Sequence, residues 1–498
     1  MRATENQEQI AESHGRYAAF KAKDPRFDGS FFVGVSSTGI YCRPVCRAKL
    51  PKEENCTFYE TAAAAEQAGY RPCLLCRPEL APGSALRPAP VDATSALVRS
   101  ASRLLEEHCG SGQSLESLAH RLGCSDRHLR RAFTAEYSVS PVQYLQTCRL
   151  LLAKNLLTDT DLSVTDVAMA AGFGSLRRFN DLFKKHYRLS PSALRNQTAG
   201  TRADGNTITL MLGYRPPYEW GMILDFLAQR AIPGVEGVTG DEYLRTVHYE
   251  NGEHKHVYGW MRVGHRPDKN ALSVTISAAL LPVLPHVLGR VRHLFDLNCD
   301  PGAVYETLCA MNAVRPGLCV PGSRLPGCFD PFEMTVRAVL GQQITVKAAG
   351  TLARRLAETF GTPVTTDVAG LTHAFPTAQD IAALPGDIAD QFGPLGVIKS
   401  RSRTIRALAE TIVSGGLDLS LCVQPEAEIK KLMTVPGIGA WTAHYIAMRA
   451  MGWPDAFPHT DLGVKKALAP LSESDILHAA EAWRPWRGYA TINLWNSL

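Results

Sequence analysis

The chain has 498 residues, of which 45% are hydrophobic and 20% charged, and it carries a net charge of +5 at pH 7. This length is too great for a single hydrophobic core, so we expect three or four domains of ordinary globular composition. The sequence has no run of about 18 apolar residues, which predicts that no helix spans a membrane. The thirteen cysteines are an odd number, and the polar N-terminus lacks the apolar segment of a signal peptide. Both observations disfavour a secreted disulfide framework and favour a reducing, cytoplasmic location.

Positive charge is concentrated in the first part of the chain. Residues 1–200 contain 26 Lys and Arg against 20 Asp and Glu, whereas the remainder contains 27 against 28. This excess indicates an anionic partner for the first part. Two stretches, the Pro/Ala-rich 81–90 and the polar 196–206, have the composition of domain boundaries. They separate a small cysteine-containing domain, a middle segment and a long C-terminal part.

Four cysteines lie in the first domain, as Cys42-x3-Cys46 and, after 26 further residues, Cys73-x2-Cys76. Two closely spaced pairs of thiols are typical of a tetrahedral zinc site, although another soft metal would also suit four thiolates. Four buried free cysteines fit this paired spacing poorly, and a purely structural zinc finger is the alternative that stays open. Zinc would keep the sulfurs as nucleophilic thiolates near neutral pH.

Basic residues surround the first cysteine pair, and we expect Arg43, Arg47 and Lys49 to hold a phosphate close to the sulfurs. The stretches FVGVSSTGIYCRPVCRAKL and NCTFYETAAAAEQAGYRPCLLCRP resemble the N-terminal domain of the Ada family. That resemblance implies that Cys42 irreversibly accepts a methyl group from a methylphosphotriester in DNA, which strengthens promoter binding. The Pro-Cys-His-Arg tetrapeptide of the family's guanine-repair domain does not occur in the sequence, so repair of O6-alkylguanine is not expected.

The middle segment contains an internal repeat. When the segment is shifted by 50 residues, a Ser, an Arg, a Phe, a Tyr and a Ser-Pro pair recur in one short window, which indicates a duplicated unit. Each copy is predicted as helix, tight turn, helix. Gly123 or Gly172 ends the first helix, and Ser125 or Ser175 caps the second. The stretch PVQYLQTCRLLLAKNLL between the copies is predicted as a connecting helix.

The second helix of each copy carries several basic side chains. Such residues suit a recognition helix in the major groove of DNA, and the alternative, a solvated charged face, is disfavoured by the duplication. Residues 90–198 resemble the AraC-type DNA-binding domain, in which two helix-turn-helix units are joined by a helix. The basic residues are Arg127, Arg130 and Arg131 in the first copy and Arg177, Arg178, Lys184 and Lys185 in the second.

The stretch LMTVPGIGAWTAHYIAMRAMG places Gly437 and Gly439 between two apolar helices. Glycines in such a hairpin expose backbone N–H groups that can bind a DNA phosphate without reading sequence. Asp461 follows at the start of another helix, an order typical of the helix-hairpin-helix glycosylase superfamily. Three further segments resemble AlkA, the 3-methyladenine DNA glycosylase II. They are YRPPYEWGMILDFLAQRAIPGVEGV, VRAVLGQQITVKAAGTLARRL and WRPWRGYATINLW.

An enzyme that removes N-alkylated purines must flip the base into an electron-rich aromatic pocket and place a carboxylate near the sugar. The resemblance implies a pocket of Trp441, Tyr445 and Trp495, with Phe226 as a further member, although ordinary core packing also produces such aromatics. Asp461 would stabilise the oxocarbenium-like transition state or orient water, and it also fits as a helix N-cap. Related enzymes that cut the backbone have a lysine at the position of Trp441. Because tryptophan forms no Schiff base, we expect a monofunctional glycosylase.

Two positions depart from the AlkA pattern. Gln343 stands where AlkA has an intercalating leucine, and we expect Gln342 and Gln343 to contact DNA. Leu462 replaces an aromatic residue after the aspartate, so the pocket would stack less well on a base. The resemblance also implies a monovalent cation at the carbonyl groups of the hairpin.

The sequence thus predicts a multidomain, mainly α chain. The predicted parts are an α+β zinc-binding methyl-acceptor domain (1–85), an all-α double helix-turn-helix domain (90–198), an α+β AlkA-type N-terminal domain (207–318) and an all-α helix-hairpin-helix glycosylase domain (319–498). We expect a sensor of alkylation damage that activates transcription and excises 3-methyladenine-type bases. Its partners would be alkylated DNA, promoter DNA and RNA polymerase, at the nucleoid. The alternative is a DNA-binding regulator whose glycosylase-like domain is inactive.

Overall fold

A computed structural model describes residues 2–83, 93–110, 114–197, 206–250, 256–420 and 423–498. Most of the two predicted boundary stretches, 81–90 and 196–206, lies outside these ranges. Within the described ranges, no helix is both long and apolar enough to cross a bilayer. Helices predominate, accompanied by a four-stranded sheet, a five-stranded sheet and one pair of two-residue strands. The predicted fold class is confirmed.

The first part of the chain combines a long helix with a small sheet. Its elements are α1 (Arg2–Ala22), β1 (Phe32–Val35), β2 (Ile40–Cys42), β3 (Cys56–Tyr59), α2 (Ala62–Gln67) and β4 (Arg71–Pro72). The strand order is β3-β1-β2-β4. Strands β2 and β4 run parallel, with Tyr41 opposite Pro72. Because parallel strands end at the same edge of a sheet, Cys42 at the end of β2 and Cys73 just after β4 emerge side by side.

The regular elements described in the middle segment are all helices, and they show the predicted duplication. Ser125 and Ser175 cap equivalent helices, since their hydroxyls accept hydrogen bonds from the backbone N–H of His128 at 3.2 Å and of Arg178 at 3.4 Å. Gly123 and Gly172, which precede these serines, have left-handed φ values of +70° and +80°. Glycine adopts this conformation without the steric strain that other residues meet there. The helices are α3 (Ala93–Glu107), α4 (Leu115–Arg121), α5 (Asp126–Tyr137), α6 (Pro141–Asp159), α7 (Val164–Ala170), α8 (Leu176–Tyr187) and α9 (Pro191–Gln197).

A five-stranded antiparallel sheet follows, packed against helices. Its strand order is β5-β9-β8-β7-β6, and helix α10 after the first strand carries Phe226 towards the later helices. The elements are β5 (Thr207–Gly213), α10 (Trp220–Ala228), β6 (Glu236–Thr239), β7 (Glu242–Glu250), β8 (His256–Arg266), β9 (Ala271–Ser277), α11 (Leu284–Leu294) and α12 (Pro301–Leu308).

The last part is mainly helical and contains the hairpin. Helices α18 and α19 flank the turn at Gly437, and α20 starts directly after Asp461. The elements are α13 (Pro331–Leu340), α14 (Val346–Phe360), β10 (Thr362–Pro363), β11 (His373–Ala374), α15 (Ala378–Ala382), α16 (Ile388–Phe392), α17 (Lys399–Val413), α18 (Pro425–Thr434), α19 (Ala440–Arg449), α20 (Leu462–Ala467), α21 (Glu473–Glu481) and α22 (Arg487–Asn496).

The connecting helix α6 joins the first part of the chain to the middle segment through buried charges. Lys154 Nζ lies 2.6 Å from both carboxylate oxygens of Glu79, and both side chains are almost completely buried. Arg77, one residue after Cys76, donates hydrogen bonds at 2.9 Å to Glu79 and to Asp159 at the end of α6. These contacts fix the first part of the chain against the helix that links the two helix-turn-helix units.

We predict that Lys154→Met destabilises the full-length protein. The change leaves the buried Glu79 carboxylate with Arg77 as its remaining cationic partner, and breaking a buried ion pair costs about 3 kcal/mol or more. The midpoint of urea unfolding should be lower than that of the wild type. The double change Lys154→Met with Glu79→Gln should recover part of the lost stability, because the negative charge of Glu79 is then absent. The control is Lys52→Met, whose side chain is 80% exposed. Equal midpoints for the Lys154 variant and this control would contradict the prediction.

Candidate functional site

The four cysteines of the first part converge on one point. One sulfur atom from each of Cys42, Cys46, Cys73 and Cys76 lies within 4.8 Å of all the others. Tetrahedral zinc with Zn–S bonds of about 2.3 Å separates its sulfurs by roughly 3.8 Å, so one ion fits this spacing. The first three cysteines are buried and Cys76 is partly exposed. Four thiolates this close need a cation to balance their charge, and the four-cysteine cluster suits one zinc ion.

Arg43 contacts the cluster from inside the protein, and its predicted contact with DNA stays a prediction. Its guanidinium is paired with the buried Asp28 carboxylate, at 2.8 Å from Nε to Oδ1, and donates to the Cys76 carbonyl at 3.0 Å. The backbone N–H of Arg43 also donates to the Cys76 sulfur at 3.3 Å. Arg43 thus braces the cluster from inside. Arg47 and Lys49 are exposed and are the basic residues free to meet a phosphate.

The basic residues predicted for the two recognition helices lie on exposed faces. Arg127 and Arg131 are exposed on α5, and Arg177 and Arg178 on α8. The opposite faces of the same helices are buried, with Phe133 and Phe183 completely covered. Both helices therefore present basic side chains outward from an apolar core, as a major-groove recognition helix requires.

Asp461 is held between two tryptophans at the start of α20. Its Oδ1 accepts hydrogen bonds from the backbone N–H of Gly463 at 2.8 Å and of Val464 at 3.1 Å, and from the Trp495 indole at 2.8 Å. Its Oδ2 accepts one from the Trp441 indole at 2.9 Å. Asp461 is thus an N-cap and a neighbour of the predicted pocket at once, and Oδ2 retains capacity for a further contact.

The aromatic residues predicted for the base pocket form one cluster next to Asp461. The rings of Trp441 and Tyr445 are stacked, with centroids 5.3 Å apart and planes inclined by 7°. Trp495 lies 6.0 Å from Tyr445 and nearly parallel to Phe226 at 6.3 Å. The first three side chains are partly exposed, whereas Phe226 is only 3% exposed. Phe226 therefore backs Trp495 and does not line the opening.

Two arginines at this pocket were missed by sequence reasoning. The Arg230 guanidinium carbon lies 3.8 Å from the centroid of the Phe226 ring, and that of Arg449 lies 4.7 Å from it. Helical spacing offered a signal, because each arginine follows a pocket residue by four positions, Arg230 after Phe226 and Arg449 after Tyr445. Their charges next to the pocket were not anticipated.

The two neighbouring glutamines predicted to contact DNA have different surroundings. Gln343 is exposed, with a left-handed φ of +56°, at the tip between α13 and α14. Gln342 turns inward, because its amide donates to the Gly437 carbonyl at 3.0 Å and to the Thr442 hydroxyl at 3.1 Å. Gln342 thus braces the hairpin, whereas Gln343 is exposed at the tip, and its contact with DNA stays a prediction.

The hairpin turn requires glycine at one position. Gly437 has a φ of +89°, and a Cβ there would lie 2.1 Å from the Thr404 hydroxyl. Gly439 is exposed just before α19. The carbonyl oxygens of Pro436 and Gly437 already accept hydrogen bonds from Thr404 and Gln342, so a monovalent cation at this turn would have to share them. Leu462, directly after Asp461, is 67% exposed.

Models of four protein families match the chain, one after another. They are the metal binding domain of Ada over residues 15–79, a helix-turn-helix domain over 118–197, the AlkA N-terminal domain over 209–330 and the HhH-GPD superfamily of base excision DNA repair proteins over 336–481. The chain is 37% identical over 492 residues to a probable bifunctional transcriptional activator/DNA repair enzyme AlkA of Mycobacterium tuberculosis, covering 97% of this chain and 96% of that protein. The chain belongs to the family of fused Ada–AlkA proteins.

Shorter relatives match the two halves of this Ada–AlkA protein separately. The DNA-3-methyladenine glycosylase 2 of Escherichia coli is 36% identical over 286 residues, which is 57% of this chain and 95% of that protein. The bifunctional transcriptional activator/DNA repair enzyme Ada of Escherichia coli is 37% identical over 158 residues, which is 32% of this chain and 42% of that protein. The predicted fusion is confirmed.

The different surroundings of Arg43 and Arg47 predict opposite phenotypes. Arg43→Met leaves the Asp28 carboxylate, 4% exposed, buried without its partner, so the first part of the chain should lose about 3–5 kcal/mol of stability. Arg47→Met should leave the melting temperature unchanged, weaken DNA binding, and lower the slope of log K against log salt by about 0.9 for a lost phosphate contact. Thermal melting and fluorescence anisotropy at several salt concentrations measure both. An Arg43 variant that melts normally but loses DNA affinity would contradict the bracing role and support Arg43 as a DNA contact.

Proposed function

We propose that this Ada–AlkA protein is an alkylation-damage sensor, a transcriptional activator and a monofunctional DNA glycosylase for N-alkylated purines. The observation that carries the glycosylase assignment is the Asp461 carboxylate fixed between the indoles of Trp441 and Trp495. A carboxylate beside an aromatic, partly open pocket provides what cleavage of an N-glycosidic bond to a flipped base requires. The protein acts on DNA, in the cytoplasm and at the nucleoid, and its activator role would bring it into contact with RNA polymerase.

The residues at the pocket divide the work of base release. The alkylated purine stacks on the partly exposed aromatic rings, which attract its positive charge. As the bond between the base and C1′ breaks, its electron pair moves to the base and positive charge develops on the sugar. Asp461 stabilises that charge, and a water oxygen then bonds to C1′. Because Trp441 stands where a lyase has lysine, no imine to the sugar forms and the product is an abasic site.

The thiol cluster supplies the sensor. We propose that Cys42 Sγ attacks the methyl carbon of a methylphosphotriester, so that the C–O bond breaks and the phosphodiester leaves as an anion. The thioether product is stable, and each protein molecule reacts once. A zinc ion held by Cys42, Cys46, Cys73 and Cys76 would keep the sulfurs deprotonated and nucleophilic. Exposed Arg47 and Lys49 hold the DNA backbone beside Cys42.

Asp461→Asn is the decisive test of the glycosylase assignment. Asparagine still accepts hydrogen bonds as an N-cap through its amide oxygen, so the variant should fold. Its melting temperature should be lower than that of the wild type, because the amide NH2 replaces Oδ2, which accepts from the Trp441 indole. It lacks the negative charge, so release of 3-methyladenine from methylated duplex DNA should fall at least about 10²-fold. Alkali-labile abasic sites measure the release. If the wild-type protein releases no base, the alternative of a DNA-binding regulator with an inactive glycosylase-like domain is correct.

Peptide mapping tests the sensor assignment. After incubation with DNA that carries methylphosphotriesters, mass spectrometry should find one methyl group on the peptide that contains Cys42. Cys56 is a matched control, because it is a partly exposed thiol in the same part of the chain but outside the cluster, and it should stay unmodified. Methylation of Cys56, or of a different cluster cysteine, would refute the role of Cys42.

A further inference from the structure

Tyr445 has an unusual hydrogen-bonding state for a stacking residue. Its hydroxyl oxygen accepts a hydrogen bond from Arg449 Nη1 at 3.1 Å. Arg449 cannot turn away easily, because it is 4% exposed and its other nitrogens donate to the backbone carbonyls of Pro326 and Gly327. A hydroxyl that accepts from a fixed guanidinium must direct its own proton elsewhere.

Among the described residues, the hydrogen-bond partners of this hydroxyl are the guanidinium groups of Arg449 and Arg230. Both are donors, so within the described part of the protein the hydroxyl proton has no acceptor. The ring itself lies in the pocket, stacked on Trp441 and 6.0 Å from Trp495. A pocket hydroxyl whose proton has no acceptor in the protein can donate a hydrogen bond to a bound ligand. A flipped purine offers ring nitrogens and exocyclic oxygens as acceptors.

Positive charge surrounds Tyr445 on several sides. Arg449 follows it on α19, Arg230 comes from just after α10, and Arg337 comes from α13. Arg337 is balanced by Glu236 and Glu333, at 2.6 and 3.1 Å, whereas no described carboxylate pairs with Arg230 or Arg449. Asp461, the nearest catalytic carboxylate, is already bound by the two indoles.

These charges change the acidity of the phenol. Burial alone would raise the pKa of Tyr445, but the positive charges of Arg449, Arg230 and Arg337 outweigh it, so the pKa is lowered. A more acidic hydroxyl donates a stronger hydrogen bond.

We propose that Tyr445 donates a hydrogen bond to the departing base and that Arg449 is the positioning residue that makes Tyr445 a donor. The proposal rests on the glycosylase function proposed above and deepens it. When the bond between C1′ and the base breaks, its electron pair raises the basicity of the ring nitrogens, and the Tyr445 hydroxyl stabilises that charge. The attacking water supplies its oxygen to C1′ and releases one proton, which ends on a base that leaves as an anion and passes to solvent when the base leaves as a neutral molecule.

The benefit depends on the charge of the base. A cationic base such as 7-methylguanine leaves as a neutral molecule and needs little help from a donor. A neutral base such as hypoxanthine leaves with a developing negative charge, which a donor stabilises strongly. Tyr445 and Arg449 therefore select in favour of neutral lesions, whereas the aromatic faces favour cationic ones.

Tyr445→Phe tests this role, because it removes the hydroxyl and keeps the stacking ring. Release of hypoxanthine from duplex DNA should fall steeply and release of 7-methylguanine only a little. The ratio of hypoxanthine to 7-methylguanine release should therefore drop at least about 10-fold, which is less than the roughly 10²-fold of full proton transfer. An unchanged ratio overturns the proposal, as does a wild-type protein that releases 7-methylguanine and no hypoxanthine. A wild-type protein that releases neither base instead overturns the proposed glycosylase function.

Variants of Arg449 separate positioning from packing. In the wild type, hypoxanthine release should fall as pH rises through the lowered pKa of Tyr445, since the hydroxyl loses its proton. Arg449→Met removes a positive charge and so raises that pKa, and the fall should move to higher pH, with a lower maximal rate. Arg449→Lys keeps the charge and should restore most of the wild-type profile. An Arg449→Met protein that melts normally with the wild-type pH profile would contradict the positioning role.

Discussion

The carboxylate of Asp461 is the constraint on which the base pocket depends. It receives two backbone N–H groups at the start of α20 and one indole N–H from each of Trp441 and Trp495. Hydrogen bonds to a charged acceptor are worth about 1.5–3 kcal/mol each. The same contacts that begin a helix therefore also fix two walls of the pocket, because Trp441 belongs to α19 and Trp495 to α22. Asp461 is positioned by the fold, and the pocket is shaped around it.

Spacing made much of the candidate site predictable from the sequence. The paired cysteines imply a four-sulfur cluster, and the parallel register of Tyr41 with Pro72 is the structural reason they meet. The repeat, its serine caps and the glycines before them follow from local propensities that need no tertiary information. Trp441, Tyr445 and Asp461 were predicted from resemblance. In the structure, Trp441 stacks on Tyr445 and donates a hydrogen bond to Asp461, so the three side chains lie together.

What the sequence did not reveal concerns arginines, since nothing local decides whether a guanidinium faces water or the interior. Arg43 belongs to a basic stretch of the sequence, but Asp28 and the Cys76 carbonyl provide a buried partner set that only the fold creates. Arg449 bonds to two backbone carbonyls and a phenol in the same way. Five donors in a rigid fork suit arginine to such interior positions. A count of basic residues consequently overstates how much charge this protein offers to DNA.

The buried junction on α6 has a consequence for the thiol cluster. Cys76 is followed directly by Arg77, which contacts Glu79 and the end of α6, and Glu79 pairs with Lys154 in the interior. Charges in such a poorly screened region interact over several ångströms more strongly than they do in water. A methyl group on Cys42 would remove one negative charge from a cluster whose last ligand adjoins this junction. The loss of charge would therefore reach α6, the helix that joins the two helix-turn-helix units, in two ways. It would change the electrostatic potential at the buried ion pairs, and it would act through Arg77, which is covalently bonded to Cys76 and contacts Asp159 at the end of α6.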